Sequence, residues 1–290
     1  MNSRYKGIFF ITLSALSFAF MNAFVRLSGD LPSVQKSFFR NLVAFFIALI
    51  MIIRSKDGFK IEKGNLKYMI LRATFGTVGI LCNFYAVDHL VLSDASMLNK
   101  MSPFFVILFS FLILKEKLTP IQVTAVCGAF IGSLFIIKPT FLNMNIVPSL
   151  IGLCGGLCAG IAYTMVRVLG QRGQKGVSVV LFFSGFSCLV TLPYLLLNYH
   201  TMSMWQGIVL LGAGVAAAGG QFAITAAYYH APAREISVYD YSQIIFSAII
   251  GFALFHQIPD RYSVLGYVII IGMAVWMFFY NQRRDASDVK

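Results

Sequence analysis

Long apolar segments alternate with short polar stretches along the whole chain. Each apolar segment is about 20 residues long, the length at which an α-helix crosses a hydrocarbon core roughly 30 Å thick. The pattern predicts an all-α membrane protein of ten transmembrane helices, at residues 6–27, 33–53, 67–88, 93–114, 119–138, 146–168, 177–197, 205–230, 234–256 and 261–281. The connections are mostly short, so sequential helices are expected to be antiparallel neighbours.

The composition excludes an ordinary soluble domain. Hydrophobic residues make up 58% of the chain and charged residues only 12%, about half of the usual charged share. The net charge of +12 raises the question of nucleic acid. The basic residues are scattered through loops, however, and the Phe and Tyr residues lie inside apolar segments, so we expect no nucleic-acid partner. We expect the protein to contact membrane lipid instead.

Basic residues are distributed unevenly between the two sets of loops. The connection from Arg54 to Lys67 carries many of them, whereas the loops on the other side hold only Lys36, Lys138 and Arg261. The positive-inside rule then predicts that both termini are cytoplasmic, in the inner membrane of a bacterium. The first apolar run, Gly7–Val25, is longer than a typical signal-peptide core, and we expect it to be a retained helix.

The chain resembles itself when it is shifted by about 140 residues, a period read from the spacing of the apolar segments. This predicts two five-helix halves, at residues 1–138 and 146–281, followed by a short cytoplasmic tail at 282–290. Because five is an odd number, the halves have opposite orientation, and inverted repeats of this kind place a site near the midplane between them. Two faces of small residues favour close helix packing: Gly152, Gly156 and Gly160, and Gly212, Ala216 and Gly220.

Two charged residues lie deep inside predicted helices at repeat-related positions, Lys100 and Asp240. A charge at a helix centre costs roughly 2.5–3.5 kcal/mol on insertion scales, so such residues are rarely accidental. At 1.5 Å per residue each lies about 10 Å from its own surface, which predicts a separation of about 10 Å along the membrane normal. Two interpretations remain: a salt bridge that locks the halves together, or a site where Lys100 binds a carboxylate or phosphate and Asp240 binds an ammonium or a proton.

Polar and aromatic residues around these charges complete a candidate substrate-binding set. Tyrosine supplies both a ring face and a hydroxyl, which suits an amine-bearing or aromatic solute. A single member of the set is as well explained by packing, and the group as a whole carries the argument. The set consists of Lys100, Asp240, Arg40, Asn22, Asn83, Tyr85, Asn99, Tyr163, Gln221, Tyr228, Tyr239 and Gln243.

The remaining charged residues are expected near the membrane surfaces. Arg26, Arg72 and Arg167 lie within two turns of a helix end, from which their side chains can snorkel to the headgroups. Three further residues, Asp88, His89 and Asp94, are expected to be solvated at the outer face. The histidines lie at or near loop ends, and no His or carboxylate lies near Cys154 and Cys158, so neither a metal nor another cofactor is expected.

The paired five-helix halves, Arg40 near the start of the second helix, and the run from Leu114 to Thr119 resemble EamA-type members of the drug/metabolite transporter superfamily. The glycines of the fifth helix, Gly128 and Gly132, follow the same pattern. The resemblance implies alternating access through a central cavity lined mainly by helices 1, 3, 4, 6, 8 and 9. Glu116 lies between Lys115 and Lys117 in a cluster that is most simply a solvated loop; capping or pairing at the helix junction and a gating role are the alternatives, and His256 stands at the corresponding place in the second half.

These observations favour a secondary transporter for a small metabolite, with an amino acid or another amine-containing solute as the preferred class. The proton is the candidate coupling ion, since a carboxylate in a dry cavity favours its neutral form, and either a monomer or a homodimer fits. A membrane scaffold is the main alternative. An intramembrane enzyme would need a motif such as H-E-x-x-H or G-x-S-x-G, which the chain lacks, and no ring of like charge indicates a channel.

Overall fold

The computed structural model describes residues 3–55, 58–114, 119–137, 146–230 and 237–288. Within these ranges the chain forms α-helices joined by short turns, and no strand is present among the described residues. The helices are α1 (Ser3–Leu27), α2 (Ser33–Arg54), α3 (Leu66–His89), α4 (Leu92–Asn99), α5 (Ser102–Leu114), α6 (Pro120–Ile137), α7 (Ile146–Gln171), α8 (Gly176–Leu197), α9 (Met204–His230), α10 (Ser242–Phe255) and α11 (Arg261–Asp288), with a 3-10 helix at Ser237–Tyr241.

Eight of the described helices are long and apolar enough to cross a membrane, judged by length and composition. They are α1, α2, α3, α6, α7, α8, α9 and α11, which correspond to the predicted helices 1–3, 5–8 and 10. Large apolar side chains on them point outward, among them Leu197 and Met204, which are 84% and 86% exposed. A protein that presents such a surface needs an apolar solvent around it, so the chain is a multi-pass membrane protein.

The predicted fourth and ninth helices are not continuous, which corrects the sequence interpretation. The fourth is divided into α4 and α5, with Lys100 as the residue that ends α4. Pro103 lies in the first turn of α5 and has no N–H to donate to the carbonyl of Asn99, which favours a break in the α-helix at this point. The described part of the ninth, from Ser237 onward, is a 3-10 helix that contains Asp240, followed by α10.

The two halves pack against each other in a symmetric set of helix pairs. Helices α2 and α8 are in contact, as are α4 and α10, and α6 and α11, and each pair joins a helix to its own repeat partner. Helix α1 also contacts α9, and α3 contacts α7. Because α1 and α7 are repeat partners, and so are α3 and α9, each of these two contacts is the repeat equivalent of the other. This arrangement confirms the predicted fold class of two inverted five-helix repeats, and it brings both helix breaks to the same interface.

The small-residue face of α7 packs directly on the break between α4 and α5. A Cβ atom added at Gly156 would lie 2.5 Å from the carbonyl oxygen of Leu98, and one at Gly160 would lie 2.5 Å from the Cβ of Phe105. Only glycine leaves room for this approach. The predicted close packing of this face is therefore confirmed. The packing positions the end of α4, and with it Lys100.

Candidate substrate-binding cavity

A polar cavity lies where the two halves meet, with about 630 Å³ of space free of protein atoms, part of it open to solvent. Both discontinuous segments contribute to its wall, Lys100 from the end of α4 and Gln243 from the start of α10. The repeat-related helices α2 and α8 also line it, which the sequence resemblance did not imply. The wall consists of Phe18, Met21, Asn22, Arg40, Arg72, Gly76, Gly79, Ile80, Asn83, Asn99, Lys100, Ala159, Ala162, Tyr163, Phe183, Gln221 and Gln243.

Lys100 and Asp240 form a direct ion pair at the cavity, with 2.6 Å between the Lys100 Nζ and Asp240 Oδ2 atoms. The predicted separation of about 10 Å, derived from the helical rise, is therefore wrong. The estimate assumed two continuous helices, whereas both chains leave regular α-helical geometry at these residues. The two breaks bring the side chains together from opposite halves of the protein.

The ion pair is nearly dry, because the side chains of Lys100 and Asp240 are only 7% and 12% exposed. The second carboxylate oxygen of Asp240, Oδ1, is buried and has no hydrogen-bond partner among the described residues, and the same holds for the hydroxyl of Tyr241. A buried polar atom without a partner is costly and calls for an explanation. Because Asp240 is paired with Lys100, which lines the cavity, this acceptor lies next to the candidate site.

A chain of hydrogen bonds crosses the cavity wall from helix to helix. Asn83 Nδ2 donates to Asn22 Oδ1 at 3.1 Å, and Asn22 Nδ2 donates to the hydroxyl of Ser96 at 3.4 Å. Ser96 in turn shares a hydrogen bond of 2.8 Å with Ser247 of α10. These bonds connect α3, α1, α4 and α10, and they leave Asn83 Oδ1 as a second buried acceptor that has no partner in the described ranges.

Arg40 is held in the cavity wall by polar neighbours rather than by a carboxylate. It is 2% exposed, and one of its terminal nitrogens donates to Asn41 Oδ1. Asn41 is fixed by donating to Ser187 of α8 at 2.8 Å. The Nε atom of Arg40 is buried, and no described residue accepts a hydrogen bond from it.

Arg72 does not snorkel to a membrane surface, contrary to the sequence prediction. It is 5% exposed and lies over the ring of Phe183, 4.2 Å from the guanidinium carbon to the ring centroid. A Cβ atom at Gly76 would lie 2.1 Å from a terminal nitrogen of Arg72 and 2.9 Å from the Phe183 ring. The missing side chain at Gly76 thus makes room for the guanidinium inside the bundle, a feature that could not be read from distance to the helix end.

The structure brings together most of the predicted set. Arg40, Asn22, Asn83, Asn99, Lys100, Tyr163, Gln221 and Gln243 all line the cavity, and Asp240 is paired with Lys100. Tyr85 instead stacks on His89, with 4.1 Å between the ring centroids, and Tyr239 is 37% exposed; neither is part of the wall. The side chain of Tyr228 and the whole of Glu116 lie outside the described residues.

A second buried ion pair joins α2 to α3, four residues before the cavity residue Arg40 and five residues after the cavity residue Asn83. Lys36 Nζ lies 2.6 Å from Asp88 Oδ1, and the Lys36 side chain is completely buried. Lys36 is therefore not an outer-loop residue, and the expected solvation of Asp88 is also wrong. A lysine in the first turn of α2 can reach inward, and its partner at the end of α3 compensates the charge.

Neighbouring contacts close the same end of the bundle. Arg26, near the end of α1, does not snorkel but donates to the carbonyl oxygens of Val87, at 3.0 Å, and Leu90. The backbone N–H of Leu92 donates to Gln257 Oε1 at 3.0 Å. Arg167 is exposed, as predicted. We call the following residues the Lys36 clasp: Lys36, Asp88, Arg26, Leu90, Leu92 and Gln257.

Asp94 lies beside the clasp and is buried rather than solvated, with 8% of its surface exposed. It accepts hydrogen bonds from the hydroxyls of Tyr267 and of Ser263, the latter at 3.1 Å. These bonds connect α4 to α11. The prediction of a solvated Asp94 failed because the sequence placed it at a membrane surface, without the α11 side chains that cover it.

Replacing Lys36 with Met is expected to loosen the clasp, because Asp88 then lacks its counter-ion. Ser96, which is completely buried behind the clasp, should become more accessible. We would measure maleimide labelling of a Ser96→Cys variant in which the five native cysteines are replaced by Ala. Labelling should become several-fold faster with Lys36→Met, since loss of the buried ion pair shifts the equilibrium toward conformations in which the clasp contacts are open. Lys67→Met, at the exposed start of α3, is the control, and equal labelling in all variants would contradict the prediction.

Comparison with known proteins identifies a family model and several similar proteins. The model of the EamA-like transporter family matches residues 5–138 and again residues 150–279. The Pseudopaline exporter CntI of Pseudomonas aeruginosa is 30% identical over 270 residues, covering 92% of this chain and 93% of that protein. An uncharacterized transporter of Helicobacter pylori is 26% identical over 283 residues, covering 93% of both.

More distant similarities agree with these matches. Human solute carrier family 35 member G1 is 25% identical over 283 residues, covering 93% of this chain and 78% of that protein. A protein chain solved by crystallography superimposes with a TM-score of 0.64 at 13% sequence identity, covering 96% of this chain and 98% of the other. At 13% identity, the similarity to the crystallographic chain concerns the fold alone. The two matches of the family model and the relatives named as transporters establish that the chain belongs to the EamA-like transporter family, within the drug/metabolite transporter superfamily.

Proposed function

We propose that the protein is a secondary transporter that moves a small amino-acid-like metabolite across the inner membrane of a bacterium by alternating access. The proposal includes five-helix halves at residues 1–138 and 146–281 and cytoplasmic termini. The observation that carries it is the polar cavity between the halves, with a charged residue from each helix break at its wall or next to it. A site at the interface of inverted repeats can be exposed to either side when the halves rock against each other.

Unsatisfied polar atoms support a substrate with both an amine and an acid. Within the part of the chain that the structure describes, Asp240 Oδ1 and Asn83 Oδ1 are buried acceptors without partners, and they suit an ammonium group. Within the same part, the Nε atoms of Arg40 and Arg72 are buried donors without partners, and they suit a carboxylate. Tyr163 and Gln221 add polar groups to the same wall. The relative named as a pseudopaline exporter favours outward movement as the direction to test first.

The proposal is tested by ligand binding and transport with the purified full-length protein. A thermal-shift screen against amino acids and related metabolites should find compounds that raise the melting temperature, because a ligand of the folded state stabilises it by mass action. Lys100→Ala is expected to remove this shift, whereas Lys67→Ala, at the exposed start of α3, is expected to keep it. Equal shifts in both variants and the wild type would contradict a site at Lys100.

Transport of the compounds found is then measured in proteoliposomes with and without a proton gradient. If the proton is the coupling ion and Asp240 carries it, Asp240→Asn should abolish stimulation by the gradient, because an amide cannot exchange a proton in this way. Undiminished transport with unchanged proton dependence would remove Asp240 from the coupling step. If none of the metabolites that bind accumulates in wild-type proteoliposomes, the scaffold alternative is favoured.

A further inference from the structure

We infer that Arg40 and Arg72 together form an anion-binding subsite in the cavity, and that the transported compound carries at least two acidic groups. The inference rests on the proposed transport function and adds the charge of the substrate to it. The sequence predicts Arg72 at a membrane surface, and a paired site does not follow from that prediction. The structure places both side chains in one wall, from α2 and α3.

The first observation is that both arginines are buried without a counter-ion. Each is more than nine-tenths buried and lines the cavity. Among the described residues no carboxylate pairs with either one, and both Nε atoms lack hydrogen-bond partners. A guanidinium presents several N–H donors in a planar fork that matches the oxygens of a carboxylate or phosphate. The free donors therefore favour an anion with such oxygens.

The second observation is the balance of charge at the cavity. Arg40, Arg72 and Lys100 are three cations in the wall, and Asp240 is the carboxylate paired with one of them. Two positive charges thus remain without compensation among these groups. The two guanidinium groups also lie close enough for electrostatic repulsion between them. An occupant with two negative charges would compensate the two positive charges and offset the repulsion between the guanidinium groups, since charges in a low-dielectric site interact strongly.

The third observation is that contacts within the protein hold both guanidinium groups in place. Asn41 orients Arg40 and is itself anchored to Ser187. Phe183 supports the face of the Arg72 guanidinium, and Gly76 leaves the space that it occupies. Such preorganisation reduces the ordering cost of binding.

The experiment measures the melting temperature of the full-length protein in detergent with defined probes. Succinate and glutarate represent dicarboxylates, inorganic phosphate represents the alternative oxyanion, and putrescine and choline represent cations. Succinate or glutarate should raise the melting temperature, and the cations should not. Arg40→Ala and Arg72→Ala should each weaken the affinity for the dicarboxylate at least tenfold. Arg54→Ala, at the exposed end of the same helix as Arg40, should leave the affinity unchanged.

Two further variants separate loss of binding from loss of folding. Arg72→Lys keeps the charge but not the planar fork, and it should bind dicarboxylates more weakly than the wild type while remaining folded. Gly76→Ala keeps Arg72 but forces its guanidinium to move, and it should weaken binding in the same direction. Gly170→Ala is the matched control, because a Cβ atom at that position meets nothing within 4 Å. A stronger response to phosphate than to dicarboxylates would assign the subsite to phosphorylated compounds.

Failure of this inference can be told apart from failure of the transport proposal. If no anionic probe shifts the wild type at tens of millimolar, or if the shift persists in both alanine variants, the subsite does not exist. If proteoliposomes transport a neutral or cationic metabolite at equal rates with and without the arginines, the inference is wrong and the transport function stands. If anions bind through the arginines and no anionic compound is transported, the subsite stands and the transport proposal is contradicted.

Discussion

Replacing Asp240 with Ala is expected to lower the free energy of unfolding by about 3–5 kcal/mol, because the Lys100 ammonium then remains buried without its counter-ion. The two groups are 2.6 Å apart and almost fully shielded from solvent. The variant should also lose transport, because removal of the carboxylate changes the charge next to the cavity and leaves Lys100 without the group that positions it. The stability change is measured by denaturant unfolding of the purified protein in detergent.

A double variant shows whether the pair has a role beyond stability. Lys100→Met with Asp240→Leu removes both charges and should recover most of the stability, because apolar replacements of a buried ion pair are often neutral or better. Transport should remain lost. Wild-type transport by the double variant would show that the pair only joins the halves. As a control for ion pairs in general, Lys60→Ala disrupts an exposed pair with Glu62, 3.0 Å apart, and should cause no measurable change.

Gly156→Ala is expected to destabilise the protein by about 1–3 kcal/mol and to reduce transport at least tenfold, because overpacking at a rigid contact forces the backbone to move. The added methyl group would lie 2.5 Å from the carbonyl oxygen of Leu98, which belongs to backbone and cannot rotate away. The end of α4 must then shift, and Lys100 shifts with it. Unfolding measurements and transport in proteoliposomes test the two effects.

Gly170 provides a matched control on the same helix. A Cβ atom there meets nothing within 4 Å, so Gly170→Ala should be neutral or slightly stabilising, by up to about 1 kcal/mol from helix propensity. If Gly156→Ala is tolerated as well as Gly170→Ala, the contact between α7 and α4 is not what positions Lys100. The comparison separates a packing effect from a general effect of alanine in α7.

Much of the candidate site could be predicted because charged and amide side chains are rare in apolar segments. Lys100, Asp240 and Arg40 stood out for this reason, and burial in the membrane is costly enough to make each of them informative. The polar residues Asn22 and Asn83 followed from their positions on the same predicted helices. Tyr239 was included by the same argument, but it lies at the surface of the structure, because its position in the 3-10 helix differs from that in a continuous α-helix.

Burial of residues near helix ends could not be predicted in the same way. Arg72, Lys36 and Asp94 lie close enough to an end for their side chains to reach solvent, and distance along one helix was the available guide. Whether they turn outward depends on which neighbours cover them. Lys36 turns inward to Asp88, and Arg72 turns inward over Phe183 from α8.

The sequence by itself determined the apolar segments, the two halves and the family, because bilayer thickness fixes segment length and an odd number of helices inverts the second half. Only the tertiary structure decided that the fourth and ninth helices are broken at Lys100 and before Ser242, that Lys100 meets Asp240, and that Arg40 and Arg72 share a wall. The physical reason is that the free energy of placing a segment in the membrane depends on the composition of that segment alone. A salt bridge or a cavity depends instead on contacts between residues far apart in the chain, and Lys100 and Asp240 are 140 positions apart.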